Sequence, residues 1–217
     1  SDAMKTIYID VYFLIIVLAI ALFGVVMSYS ASSFDAQKYM GDSLYYFKRH
    51  IIFLALAVVF TAVFVIYARP WVWRVFAMGS YGISVILLLA VLVIGREGNG
   101  AQRWIEIGPI TIQPSEIAKM ATVMLLALIM SKYEKKIELS QRFGGHFRYG
   151  VLYPAMVIGT ICVLVMLEKH LSGLIIIGLL GLTVMILGGT DMKWIGMIVG
   201  VGLVAVAVVL LVSDYAM

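Results

Sequence analysis

Seven long apolar runs constrain the fold of this chain more than any other feature of its sequence. They comprise residues 11–27, 51–67, 75–94, 117–130, 151–167, 171–187 and 194–212. Most have the length of about 17 to 25 residues that a helix needs to cross a bilayer. At 63% hydrophobic residues and a mean hydropathy of +1.06, the chain has too much apolar surface for one soluble core. We therefore predict an all-α fold, a polytopic membrane helix bundle of about seven transmembrane helices.

The basic residues between the apolar runs predict the orientation of this bundle. Slightly more Lys and Arg residues face the cytoplasm if the N-terminus is cytoplasmic, as the positive-inside rule requires. The polar stretch 131–148 is then a solvated cytoplasmic loop in contact with anionic headgroups, in preference to a partner-docking surface. The basic residues form no continuous stripe, which excludes nucleic acid as a predicted partner.

Three smaller features bear on the organisation of the chain. Residues 1–3 precede Met4 and are interpreted as a cloning remnant, which leaves 4–217 as one transmembrane domain. The single cysteine, Cys162, lies in an apolar run and is predicted to be a packing residue. Gly196 and Gly200 have a spacing that allows close helix approach, which predicts packing within the chain, with a homodimer as the alternative.

The stretch 98–119 concentrates charge, glycine, proline and tryptophan between the third and fourth runs. Its first half, with glycines at 98, 100 and 108 and a proline at 109, predicts a tight irregular loop. Its second half predicts a helix start, because Pro114 suits the first helical position and Glu116 complements the helix dipole. The fourth run reaches spanning length only if Glu116 lies within the membrane boundary.

Helical spacing places Glu116 and Lys119 on one face, three residues apart. Ionisable residues that enter a bilayer are costly, so this pair is predicted to be functional.

Several short motifs, in a consistent order along the chain, resemble the SEDS family (shape, elongation, division and sporulation), the RodA/FtsW/SpoVE group of membrane proteins. The motifs are Gly100 to Trp104, Gln113-Pro114-Ser115-Glu116 with Lys119, Tyr29-Ser30-Ala31-Ser32, and Tyr46-Phe47 with Lys48-Arg49. Each motif is weak alone, but the joint match spans nearly the whole chain. The resemblance therefore indicates family membership.

One segment departs from the family pattern. The family commonly has a Gln-Pro-Asp-Leu-Gly-Thr type sequence between its fifth and sixth helices, whereas this chain has Glu-Lys-His-Leu-Ser-Gly at 168–173. The clear match is Leu171 alone. His170 replaces the usual acid, and we expect a polar cap on a helix end in preference to a hydrogen-bond donor to a phosphate or sugar.

The resemblance implies an activity in the bacterial plasma membrane. SEDS proteins polymerise lipid II, the undecaprenyl-pyrophosphate-linked disaccharide peptide, and work beside a class B penicillin-binding protein. The role is in elongation, division or sporulation. The family fold has about ten transmembrane helices, and its implied catalytic aspartate lies in an outer loop after the seventh. These 217 residues are therefore expected to be the N-terminal portion of that fold and inactive alone.

The resemblance and the charge pattern together predict the binding site, although they assign no catalytic residue within the chain. The main candidates are Arg103, Trp104, Gln113, Ser115, Glu116 and Lys119. The weaker candidates are Lys48, Arg49, Glu168 and His170. Cations against apolar walls suit a lipid that carries phosphate, and a divalent metal ion would serve the same purpose. No nucleotide is expected, because the chain has no Walker or Rossmann motif.

Two other functions remain open. A flippase or transporter of lipid-linked precursors needs a similar cavity, although we find no inverted repeat with interrupted helices. A non-catalytic membrane scaffold for a penicillin-binding protein is the second alternative.

Overall fold

The computed structural model describes residues 11–67, 69–98, 101–107, 110–139 and 146–215. Two compact units make up the chain, Ser1–Arg69 and Pro70–Met217. The predictions for residues 1–3, for Gly100, Gly108 and Pro109, and for residues 140–145 of the stretch 131–148 fall outside the described residues.

The first unit contains two helices, α1 (Val11–Met40) and α2 (Tyr45–Tyr67). The turn between them begins at Gly41, whose φ of 72° favours glycine. Asp42 then accepts a hydrogen bond from the backbone N–H of Leu44 at 2.9 Å and pairs with Lys48 at 2.9 Å. Both helices are longer than their predicted apolar runs because polar residues at the turn end remain helical.

The second unit contains five α-helices. They are α3 (Pro70–Ile94), α4 (Pro114–Leu139), α5 (Tyr153–Leu167), which follows a π-helical segment (His146–Leu152), α6 (Leu171–Leu187) and α7 (Met192–Tyr215). One buried cluster joins α3, α4, α5 and α6 through Leu88, Ala118, Ile161, Val165 and Ile177. A second joins α4 to α5, α6 and α7 through Leu126, Met130, Ile158, Met185 and Ile195. Helix α4 contributes to both clusters and is the centre of this unit.

The helices confirm the predicted membrane fold. Among the described residues, six helices are long and apolar enough to cross a membrane, and α6, with 17 residues, is a shorter apolar helix. Helix α4 continues past its predicted apolar run to Leu139, but most of the added residues are charged, and its candidate membrane span, Pro114–Ile137, includes Glu116 as predicted. The predicted loop 131–148 is wrong for 131–139, where strong helix formers such as Lys, Glu and Leu extend α4 to Leu139, and for 146–148, which are π-helical.

A small antiparallel sheet replaces the irregular loop predicted before α4. Its strands are β1 (Arg96–Gly98), β2 (Ala101–Ile107) and β3 (Ile110–Ile112), with β2 in the middle. Trp104 is paired with Arg96, and Ile105 with Ile112. Gly98 ends β1, and the β-branched residues of β2 and β3 favour strand.

The glycines distinguish packed helix faces from open ones. A Cβ at Gly181 would lie 2.6 Å from the Ile158 side chain, so this glycine allows α5 and α6 to approach closely. At Gly196 and Gly200 an added Cβ would meet no atom within 4 Å, so the predicted packing of this pair inside the chain is wrong for the described residues. Cys162 packs against both buried clusters, as predicted.

Candidate functional site

Two segments far apart in sequence meet at one end of the second unit. The guanidinium of Arg103, on β2, donates a hydrogen bond from Nη2 to the carbonyl oxygen of Lys169 at 3.3 Å. Ser115, in the first turn of α4, places its Oγ 3.4 Å from Nδ1 of His170. The structure thus brings two of the main candidates, Arg103 and Ser115, into contact with the α5–α6 turn, which holds the weaker candidates Glu168 and His170. We call this group, Arg103, Ser115, Glu116, Lys119, Glu168 and His170, the polar cluster.

Helix α4 begins at Pro114, as predicted, and carries the expected charge pair. The Lys119 Nζ lies 2.7 and 2.6 Å from the two carboxylate oxygens of Glu116. The Glu116 side chain is 56% exposed and that of Lys119 only 19%. The pair therefore places a largely buried cation beneath a more exposed carboxylate that partly neutralises it.

Two further candidates flank the start of α4. Trp104 is exposed on β2 while its neighbour Ile105 is buried, as alternation along a strand requires. Gln113 is half-buried, and its carbonyl oxygen accepts a hydrogen bond from the backbone N–H of Glu116 at 3.1 Å. That N–H is therefore already used within the helix start.

The α5–α6 turn is where the structure adds most to the sequence-based prediction. Glu168 is 2% exposed, and neither of its carboxylate oxygens has a hydrogen-bond partner. Lys169 has a left-handed φ of 55°, which is costly for a residue with a Cβ. His170 is buried and is the N-cap residue of α6, the helix end at which a polar cap was predicted, but its side chain makes no cap hydrogen bond to that helix. Its ring contacts Ser115 instead.

A glycine on α6 makes room for the His170 ring. A Cβ at Gly173 would lie 2.6 Å from Nδ1 and 2.8 Å from Cε1 of His170. Real Cβ atoms essentially never approach other atoms so closely, so a larger residue at 173 would displace the ring. His170 and Gly173 both depart from the family pattern, and the glycine leaves the space that the histidine ring occupies.

Burial and neighbouring charges set the ionisation of this turn. Burial raises the pKa of Glu168 from 4.5 to about 7, while the positive charge of Arg103 acts in the opposite direction. Burial also lowers the pKa of His170, and Arg103 and Lys119 add to this effect while Glu116 opposes it. His170 is consequently neutral at pH 7, and Glu168 is poised to gain or lose a proton near that pH.

Two buried polar atoms in this region, Oγ1 of Thr122 and Nε of Arg103, were not predicted from the sequence. Thr122 lies on α4 seven residues after Ser115, and its Oγ1 is buried without a hydrogen-bond partner. Arg103 Nε is also buried without a partner. A threonine inside an apolar run is usually a packing residue, so its position in the sequence does not indicate that its hydroxyl is unpaired.

Lys48 and Arg49 lie on α2 in the first unit. Lys48 is paired with Asp42, and the Arg49 guanidinium lies 5.7 Å from the ring centroid of Phe53. Their predicted place beside the binding site stays a prediction.

The donor set does not fit a resident divalent metal. Within the described ranges, no group of three or more His, Cys, Asp or Glu side chains could hold a metal ion. Glu116 is already paired with Lys119. We therefore assign no part of the chemistry to a metal on these residues.

The helices and the polar cluster define a multi-pass membrane protein with a charged group at one end of its helices. The chain belongs to the FtsW/RodA/SpoVE family of cell cycle proteins, whose profile matches residues 10–217. It is therefore a protein of the bacterial plasma membrane.

Curated relatives agree with this membership. The chain is 27% identical over 219 residues to a protein of Neisseria gonorrhoeae, covering 88% of this chain and 47% of the relative. It is 33% identical over 196 residues to a protein of Geobacter metallireducens, covering 88% and 49%. Both are named probable peptidoglycan glycosyltransferase FtsW. The chain spans about half the length of these relatives.

Solved structures share the fold. The rod shape determining protein RodA of Thermus thermophilus matches with a TM-score of 0.62 and 24% identity, covering 87% of this chain and 58% of that one. A chain from a structure of a peptidoglycan synthase complex matches with a TM-score of 0.58 and 25% identity, covering 87% and 52%.

Proposed function

We propose that the complete protein containing this chain is a peptidoglycan glycosyltransferase that polymerises lipid II. The single observation that carries this proposal is the polar cluster, which places the partly buried cation of Lys119 and the donors of Arg103 beside apolar helices. A lipid with a phosphate-bearing head requires this combination of charge and apolar surface. The names of the curated relatives support the same reaction class.

The chemistry of glycan polymerisation assigns a role to each kind of group. A sugar hydroxyl of one substrate attacks the anomeric carbon of another, and the bond from that carbon to the pyrophosphate oxygen breaks. Undecaprenyl pyrophosphate leaves with the bonding electrons, so cations must stabilise its developing charge. Lys119 and Arg103 are the cations of the polar cluster that we assign to this purpose.

A carboxylate must accept the proton of the attacking hydroxyl. By family resemblance, this base is an aspartate in an outer loop after the seventh helix. We therefore expect residues 1–217 to make no polymer alone, and assign them the binding of the lipid and its leaving group.

A class B penicillin-binding protein is the proposed partner. A structural neighbour of this chain comes from a peptidoglycan synthase complex, which supports such an assembly. Polymerisation and cross-linking of the glycan would then take place in one membrane complex.

The test is lipid II polymerisation by the purified complete protein, with and without a class B penicillin-binding protein whose own glycosyltransferase activity is absent. Glycan chains that depend on the protein are expected. Transport of lipid II across vesicles without polymer would support the flippase alternative. If another enzyme makes the polymer and this protein serves only to bind that enzyme, the scaffold alternative is supported.

A further inference from the structure

Two buried groups of the polar cluster are of opposite hydrogen-bonding type and remain unpaired. Glu168 has two buried carboxylate oxygens without a donor, and Arg103 has a buried Nε–H without an acceptor. A buried polar atom without a partner destabilises the protein, so such atoms call for an explanation. Arg103 is also the charge that acts on the Glu168 carboxyl. The hydrogen bond from Arg103 Nη2 to the carbonyl of Lys169, the residue after Glu168, places both groups at the same turn, and they are not hydrogen-bonded to each other.

Neighbouring contacts hold both groups in place. The Arg103 guanidinium is anchored through Nη2 to the carbonyl of Lys169, which leaves Nε free for another acceptor. Glu168 ends α5 with its backbone N–H bonded to Leu164 O at 3.3 Å. The left-handed Lys169 then turns the chain, and His170 is held against Ser115 and above Gly173. The unpaired atoms thus belong to a fixed turn.

The ligand must satisfy the acceptor oxygens of Glu168 and the Nε–H donor of Arg103 together. A phosphate or carboxylate ligand has only acceptors when ionised and would be repelled by an ionised Glu168. An ammonium group has only donors and would leave the Arg103 Nε–H unpaired. A hydroxyl group can donate to a carboxylate and accept from an N–H at the same time. We infer that Glu168 and the Arg103 Nε–H together bind one hydroxyl group of the substrate's sugar.

This inference rests on the proposed function and deepens it, because it divides the polar cluster by role. Lys119 and the positive charge of Arg103 act on the phosphate, whereas Glu168 and the Nε–H of Arg103 bind the uncharged sugar. Water has the same hydrogen-bonding chemistry as a sugar hydroxyl, so the experiment must separate the two sources.

The experiment compares binding of two lipids to the complete purified protein in nanodiscs at pH 8, where Glu168 is mostly ionised. One lipid is undecaprenyl pyrophosphate, and the other is undecaprenyl pyrophosphate that carries the disaccharide without the peptide. The variants are Glu168→Gln, which removes the carboxylate charge, and Arg103→Lys, which keeps the positive charge but removes Nε. Lys119→Met is the contrasting variant.

Glu168→Gln and Arg103→Lys are each expected to raise the Kd for the disaccharide lipid at least tenfold and to leave the Kd for the sugar-free lipid unchanged. The double variant should be no worse than the more affected single variant, because one hydroxyl contacts both groups. Lys119→Met should weaken binding of both lipids.

Equal weakening of both lipids by Glu168→Gln and Arg103→Lys would overturn the inference. So would unchanged Kd values with reduced thermal stability, since that result assigns the pair to an ordered water. A wild-type protein that binds the disaccharide lipid more tightly than the sugar-free lipid but makes no polymer would refute the polymerase function and leave the sugar site standing. Equal wild-type affinity for the two lipids would refute the sugar site alone.

Discussion

Arg103 donates a hydrogen bond to the carbonyl oxygen of Lys169, 66 positions further along the chain. Lys169 is the only residue other than glycine with a positive φ among the described residues. Its backbone conformation presents that carbonyl between two helices, where β2 can reach it. The contact joins the segment that the sequence marked most clearly to the segment that departs most from the family pattern.

Because Lys169 has a left-handed backbone conformation, two substitutions at this position should change stability in opposite directions. Lys169→Gly should raise stability by about 1 kcal/mol, because glycine adopts this φ without steric cost. Lys169→Pro restores the residue type common in the family, yet it should cost about 3 kcal/mol or more. Proline cannot adopt a φ of 55°, and it lacks the N–H that now donates to Met166 O at 3.0 Å. Thermal melts of the purified variants test both, and a stable Lys169→Pro protein would show that the turn is not left-handed.

The Glu116–Lys119 pair leads to a prediction about activity. In the complete protein, Lys119→Met and Glu116→Gln should each lower lipid II polymerisation at least tenfold, on the order of 1.4 kcal/mol in barrier. Lys119→Met leaves Glu116 unpaired and removes a cation from the path of the phosphate. Polymer per folded molecule is the measurement, with folding checked by thermal melt.

The matched control for that pair is Lys132→Met, which removes an exposed lysine from the other end of α4. It should retain wild-type activity. If all three variants polymerise at the wild-type rate, the Glu116–Lys119 pair is an ordinary structural ion pair.

The contact of Gly173 with His170 predicts that even one added methyl group is harmful. Gly173→Ala would place a Cβ 2.6 Å from the ring, so His170 must move away from Ser115. We expect a loss of roughly 1 to 3 kcal/mol in stability and at least a tenfold loss of polymerisation. Thermal melts and polymer yield measure the two effects.

Gly178 lies on the same helix, and a Cβ there would meet no atom within 4 Å. Gly178→Ala should therefore be neutral or stabilising by about 0.5 to 1 kcal/mol, because alanine is the better helix former. Equal effects at positions 173 and 178 would contradict the packing of His170 against Gly173.

The fold was largely predictable because long apolar runs can satisfy their backbone in a membrane only as helices. The start of α4 and the Glu116–Lys119 pair were predictable because Pro114 and the three-residue spacing are local signals. The sheet was not predicted, since glycine and proline mark connections without showing what lies between them. Burial of Glu168 was not predictable either, because it depends on how β2 and α4 pack against the α5–α6 turn.

The predicted orientation can be tested with single cysteines in a protein whose native Cys162 is replaced by alanine. Cysteines at Gln37 and Asn99 should react with an impermeant maleimide in intact cells, whereas one at Lys135 should react only after permeabilisation. The reason is the excess of basic residues on the cytoplasmic side. Labelling at 135 with protection at 99 in intact cells would reverse the orientation.

Burial of Glu168 predicts how stability depends on pH. The folded protein holds the proton of Glu168 with a pKa of about 7, raised from an ordinary value of 4.5. The folded state therefore binds this proton more tightly than the unfolded state does, and stability falls as the pH rises from about 4.5 to about 7. The loss amounts to roughly 3 kcal/mol at higher pH. The glutamine side chain of Glu168→Gln cannot ionise, so this variant should not lose stability in this way as the pH rises.

The measurement is the difference in unfolding free energy between Glu168→Gln and the wild type at pH 5 and pH 8. His170 adds a pH dependence of opposite sign, because its lowered pKa costs stability as the pH falls below 6.5, but this effect is largely shared by both proteins. Arg103, Glu116 and Lys119 also act on this turn, and all three remain in the variant. Glu134→Gln, at an exposed glutamate of α4, controls for the general effect of removing an acid. The unfolding free energy of Glu168→Gln minus that of the wild type should be larger at pH 8 than at pH 5. The same difference at both pH values would mean that the Glu168 carboxyl is solvated.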